Sequence, residues 1–258
     1  MNDKILSSFH QVALEDEAIL EDINNLENSP NDQAGWVRLG NKLAELQCYD
    51  EAIICYDIVL QANPDNVAAL YRKGLALNNL HRYFDAIECY DRVTRFDPPN
   101  SVDSINAKGL ALSNLGKYDE AIGSYNKVLE LDPNNIAALN AKGLALSNLG
   151  KYDEGIGSYN KVLGLDPDNV AALNGKGEAL EAQGKHEESN EYFDRVGKIY
   201  ASKVETLNSE IAALIDDRKV HAAIIKCNQA LELDPNNIAA LNAKGLALSN
   251  LGKYDEAI

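Results

Sequence analysis

The sequence has no run of about 18 apolar residues, so no segment is expected to span a bilayer. Its first stretch, MNDKILSSFHQVALEDEAIL, lacks a basic start, a long apolar core and a small-residue cleavage site. No secretory signal is therefore expected. Cations are scarce: 24 Lys and Arg stand against 40 Asp and Glu, a formal charge of −16. Phosphate backbones need a basic surface, so nucleic acid is not an expected partner, and neither is a membrane. There is no CxxC and no HxxxH. His10, His81, His186 and His221 lie far apart, so no metal site is expected. Cys48, Cys55, Cys89 and Cys227 read as free thiols, which suit a reducing cytoplasm. What is present is a globular balance, 45% apolar and 25% charged, which excludes disorder as the main state.

The chain repeats itself. Residues 129–156 and 231–258 differ only at Gly155 versus Ala257, and residues 108–129 and 142–163 only at Ala121 versus Gly155. The second pair is offset by 34 residues. A period of that length, built of two apolar-periodic stretches, predicts stacked helical hairpins. Prolines 30, 64, 98, 133, 167 and 235 fall at one point of the period, and Pro99 doubles Pro98. Proline ends one helix and can open the next, so these are joints. Gly116, Gly150, Gly184 and Gly252 mark a second break, because glycine supplies the left-handed conformation that closes a helix. Asp119, Asp153 and Asp255 then stand where an N-cap belongs. Each repeat therefore reads helix A, tight turn, helix B, joint. The repeats are 33–66, 67–100, 102–135, 136–169, 170–203, 204–237 and a partial 238–258. Leu139, Gly143 and Leu146 form the stripe of helix A; Tyr152, Ile156, Tyr159 and Leu163 form the inner face of helix B. A glycine inside a helix costs about 1 kcal/mol, so Gly143 and its counterparts imply a close approach by a neighbour.

The residues Trp36, Leu39, Gly40, Leu43, Tyr49, Ala52, Tyr56 and Pro64, and their recurrences over 33–258, resemble the tetratricopeptide repeat family. The resemblance implies an all-α, right-handed superhelical solenoid whose A helices line a concave groove. It also implies a non-enzymatic scaffold that holds a protein or an extended peptide, with no cofactor. Residues 1–32 fit the pattern loosely and read as an N-terminal helical cap or a degenerate repeat. Their charge, one Lys against eight Asp and Glu, suits a solvated end.

Other chemistry is weakly signalled. GIGSYNK at 155–161 lies inside helix B and lacks the strand–loop–helix context of a phosphate loop. Asp119–Glu120 and its copies are explained by the helix dipole. Cys55 and Cys89 hold equivalent positions on neighbouring hairpins roughly 9–10 Å apart, beyond the span of about 7 Å that a disulfide tolerates.

The candidate binding site is a ladder of asparagines. Asn106, Asn140, Asn174, Asn208 and Asn242 follow the first stripe residue of helix A in five successive repeats. Leu110, Asn114, Leu144 and Asn148 accompany them on the side that the family turns to its groove. An amide both donates and accepts, so such a row suits an extended backbone. Recent duplication is the competing explanation, since copied repeats copy their asparagines. A clamp for a terminal carboxylate has only Arg38, Asn41 and Arg72 as weak candidates.

Two irregularities point to self-association instead. No proline interrupts His186 to Asp217, and Phe193, Val196, Tyr200, Val204, Leu207, Ile211 and Leu214 keep one phase across Ala201-Ser202-Lys203. A single helix of about 30 residues fits that stripe; an ordinary turn at 201–203 is the alternative. A fused helix leaves faces bare, and a homodimer through 186–217 then follows by domain swapping. The partial repeat 238–258 gives a second route, because an uncapped C-terminal end leaves the surface around Leu246 and Leu248 to be covered.

Overall fold

The computed structural model describes residues 9, 17–98, 101–216 and 219–251. Among them, thirteen helices and no strands follow one another. They are α1 (Glu17–Asn28), α2 (Gln33–Glu45), α3 (Tyr49–Ala62), α4 (Val67–Asn79), α5 (Tyr83–Phe96), α6 (Val102–Asn114) and α7 (Tyr118–Leu131), then α8 (Ile136–Asn148), α9 (Tyr152–Leu165), α10 (Val170–Ala182), α11 (His186–Asp216), α12 (Val220–Leu233) and α13 (Ile238–Asn250). The chain divides into an N-terminal body, 1–165, and a C-terminal body, 166–258. Within each body, consecutive helices pack on one another, as a helical solenoid requires.

The turns inside the hairpins are closed by a left-handed residue. Gly116, Gly150 and Gly184 have φ of 74°, 75° and 76°. Gln47 and His81 adopt φ of 62° and 59° at the equivalent places. A side chain is strained there, and glycine is not. Gly252 and Arg218, at the same point of later repeats, lie outside the described residues.

The helix starts differ from the sequence reading. Helix α7 begins at Tyr118 with Lys117 as its N-cap, so Asp119 sits one residue inside the first turn, and Asp153 does the same in α9. There the carboxylates meet the positive end of the helix dipole. Asp255 lies outside the described residues. The true side-chain caps open the A helices. Asn66, Asn135, Asn169 and Asn237 accept from the amides of Ala69, Ala138, Ala172 and Ala240 at 3.0–3.1 Å.

The repeat core is a ring set against a glycine. In the N-terminal body, Gly40, Gly74, Gly109 and Gly143 each face the ring of Tyr56, Tyr90, Tyr125 or Tyr159 sixteen residues on. A Cβ placed on Gly74 would stand 2.6 Å from Tyr90 Cε1. The close neighbour implied by the helical glycines is thus an aromatic ring. Leu139 and Leu146 are buried as expected; on α9 the buried set is Gly155, Ser158, Tyr159 and Val162, with Tyr152, Ile156 and Leu163 only half-buried. In the described part of the N-terminal segment, residues 9 and 17–32, Phe9 and α1 pack into the first core. Its acidity is not all solvated. Asp22 is buried and takes Arg38 Nε at 2.7 Å and Lys42 Nζ at 2.6 Å. Burial alone would raise its pKa, but hydrogen bonds and charge from Lys42 and Arg38 outweigh that and hold it below the usual carboxylate value.

In the C-terminal body, the choice between one helix and a turn at 201–203 is resolved in favour of one helix. Helix α11 runs 31 residues without a break. Its first half packs on α10 and its second half on α12. Ser189, which stands where other repeats carry Ala or Gly, is buried and donates to the Gly177 carbonyl at 2.9 Å. Ile211 and Cys227 take the places held by glycine and tyrosine elsewhere, and they share one buried cluster.

Candidate functional site

The A helices α6 and α8 touch in the N-terminal body. Their outward residues are mostly uncharged. Leu110 is 48% exposed and Leu144 is 52% exposed, large values for leucine on a packed helix. Asn114 and Asn148, one turn on, are exposed too, and Asn106 and Asn140 are half-buried. The structure therefore gives α6 and α8 matching rows, an amide, a leucine and a second amide, at equivalent positions.

The amide ladder has a structural task that the sequence did not reveal. Asn106 Nδ2 donates to Oδ1 of Asn135, the N-cap of α8, at 3.4 Å. Asn237, the N-cap of α13, donates through Nδ2 to Asn208 Oδ1 at 3.0 Å. Each bond spans 29 residues and ties one A helix to the start of the next. Asn174 has no such counterpart, because Lys203 at that offset lies inside α11. Asn242 is exposed on α13. The signal that was available is the Asn three residues before a buried Ala, which is N-cap spacing.

The clamp candidates are occupied or dispersed. Arg38 serves Asp22, and Asn41 Oδ1 accepts from the Tyr56 hydroxyl at 3.0 Å. Arg72 lines a shallow hollow with Asn41, Tyr49, Tyr56 and Asn79. Charges beside the groove pair internally: Lys73 meets Asp57 at 2.5 Å, and Lys108 meets Asp91. Cys55, Cys89 and Cys227 are buried and unpaired, and burial raises the pKa of each; that of Cys89 is pushed up to about 11. At the far end, Leu248 is already buried within the chain, so it needs no partner. Leu246 is 53% exposed, close to its interior counterparts Leu110 and Leu144 at 48% and 52%, so its exposure is no mark of an end. Asp255 to Ile258 lie outside the described residues.

No described helix is long and apolar enough to cross a membrane, and no described group of His, Cys, Asp and Glu is arranged to hold a metal.

Family models match along the chain: a TPR repeat at 109–150, and tetratricopeptide repeats at 37–101, 140–202 and 226–258. No curated protein matches the sequence. Solved structures do. A crystal structure of MamA is 26% identical, with a TM-score of 0.59, covering 65% of this chain and 97% of that one. MamA from Desulfovibrio magneticus RS-1 is 23% identical, with a TM-score of 0.61, covering 67% and 97%. YrrB, described as a TPR protein with an unusual peptide-binding site, is 20% identical, with a TM-score of 0.54, covering 86% and 97%. The last two bear on the fold alone.

Proposed function

Because this chain belongs to the tetratricopeptide repeat family, whose members hold other proteins, we propose that it is a scaffold that binds an extended peptide or protein segment along α6 and α8. The observation that carries this is the pair of exposed leucines, Leu110 and Leu144, each flanked by asparagines. Covering the exposed half of each leucine contributes about 1 kcal/mol, and the amides of Asn114 and Asn148 meet the polar groups of a backbone. Asn106 contributes less, since its amide already serves Asn135. In the C-terminal body, Asn208 is committed to Asn237 in the same way, and Asn174 and Asn242 stand at the equivalent positions. With no charge among the groove residues, binding depends weakly on salt. The role is non-enzymatic, and a cytoplasmic location suits the free thiols.

The test is selection of binders from a random peptide library, followed by titration of the best peptide. Leu110→Ala with Leu144→Ala is expected to weaken it at least about tenfold, about 1.4 kcal/mol, and Asn148→Ala to weaken it less. Unchanged affinity in the leucine double variant removes the groove. A second reading, self-association through the 186–217 region, is favoured by a separate observation: Phe193 is 37% exposed, whereas Tyr56, Tyr90 and Tyr125 at its position are at most 1% exposed.

A further inference from the structure

We propose that α11 carries both halves of one repeat–repeat interface on opposite sides, and that second copies of this chain supply the missing halves, joining chains head to tail. The proposal rests on the self-association reading and names its surfaces.

The interface is seen intact in the N-terminal body. There Tyr125 of α7 packs with Ala145 of α8 in one buried cluster, and Val128 packs with Ala138 in another. The equivalent residues of the C-terminal body are Phe193 with Ala213 and Val196 with Thr206. All four lie on α11. Phe193 and Ala213 are 20 residues apart, about 30 Å along a helix that rises 1.5 Å per residue, so they cannot meet within one chain.

Burial shows that most of both halves is bare, Val196 excepted, which is 8% exposed. On the first half, Phe193 and Tyr200 are 37% and 39% exposed, and Asn190 and Gly197 are exposed where Ile122 and Leu129 are half-buried. On the second half, Thr206 and Ala213 are exposed, whereas Ala138 and Ala145 are 0% and 1% exposed. Two charges beside these faces are already paired: Arg195 with the Pro167 carbonyl at 2.7 Å, and Glu210 with Lys226 at 2.8 Å. At their centres the faces offer apolar or neutral residues, Asn190, Phe193 and Gly197 on one and Thr206 and Ala213 on the other, with Asp194 bordering the first and Lys203 the second. The surface that fits each is the other half of the same interface, which every copy of the chain carries.

The direction of the faces decides the form of the assembly. At about 100° per residue, Phe193 and Ala213 point about 160° apart around α11. A single neighbour lying along one side of α11 cannot cover both, so a two-fold swapped dimer does not complete the interface. A chain that receives one neighbour at Phe193 and docks its own Ala213 on another leaves a free face at each end of the assembly, so it grows.

The test is sedimentation velocity of the full chain over a concentration series. The unaltered chain is expected to grow past two copies as concentration rises. Ala213→Arg blocks one face and Asn190→Arg the other, both at exposed positions, and circular dichroism verifies that each variant keeps its helices. Each variant alone is expected to stay monomeric, and their mixture to form a one-to-one pair that grows no further. A chain that stays monomeric throughout overturns the self-association reading and this inference together. A dimer that never grows overturns the head-to-tail form. Growth that survives Ala213→Arg leaves self-association standing and removes this interface.

Discussion

One repeat of the C-terminal body fills its core in the opposite way to the repeats of the N-terminal body. In the N-terminal body a large ring on helix B lies against a glycine on helix A, as with Tyr90 over Gly74. In the C-terminal body the pair Gly177 and Phe193 keeps that order, but one repeat later Ile211 supplies the bulk from helix A and Cys227 makes room on helix B. Both arrangements are buried. The repeat therefore fixes the combined volume at this contact and leaves open which helix provides it, as close-packed interiors permit when volume is conserved.

The comparison is broken most severely by removing bulk from the side that now carries it. Ile211→Ala is expected to cost about 2–5 kcal/mol, because nothing opposite it is large enough to fill the gap. Denaturant unfolding measures this. A cost below about 1 kcal/mol would show that the cluster relaxes freely.

A smaller effect sharpens the comparison by transplanting the second solution into the first body. Gly74→Ile alone overpacks the core against Tyr90 and is expected to cost about 1–3 kcal/mol. Adding Tyr90→Cys is expected to recover most of that loss, with a coupling of about 1–2 kcal/mol in the double-mutant cycle. Tyr90 is the suitable ring, since its hydroxyl has no hydrogen-bond partner among the described residues to lose. Strict additivity would mean that the two positions do not exchange volume.

The smallest expected effect concerns a device that, among the described residues, occurs only in the N-terminal body, the buried carboxylate of Asp22 between Arg38 and Lys42. Asp22→Asn is expected to cost about 1–2 kcal/mol at neutral pH, less than for a wholly buried pair, since both cations reach solvent. The sign follows from the lowered pKa. A folded-state pKa below the unfolded one stabilises the protein above the usual carboxylate range, and the gain is lost as pH falls through the folded value. The difference between Asp22→Asn and the unaltered chain should therefore shrink on acidification below about pH 4. A difference independent of pH would assign the loss to packing.

Much of this was legible in the residues. The 34-residue period, the joint prolines and the turn glycines gave the helix order, because each acts locally on the backbone. The in-phase stripe from Phe193 to Leu214 allowed α11 but left a turn at 201–203 open, because a missing proline permits a continuous helix without requiring one. What was hidden depends on neighbours distant in sequence. The helical glycines announced a close contact but not the tyrosine sixteen residues on. The asparagine row read as a ligand surface, while the bonds of Asn106 to Asn135 and Asn208 to Asn237 span 29 residues and appear only once the hairpins stack. The buried state of Asp22 was invisible because its cations sit on the following helix.

The continuity of α11 bears on how the C-terminal body comes apart. In a linear array each hairpin touches only its neighbours, so stability behaves as a row of coupled links and opening stops where the coupling is weakest. An ordinary joint is such a place, since a few loop residues can loosen without disturbing either helix. Helix α11 has none: its backbone hydrogen bonds run through Ala201-Ser202-Lys203, and melting it from either side removes a wall from the hairpin beyond. The hairpins that α10 and α12 form with it therefore exchange their amides with solvent as one cooperative block rather than one after the other.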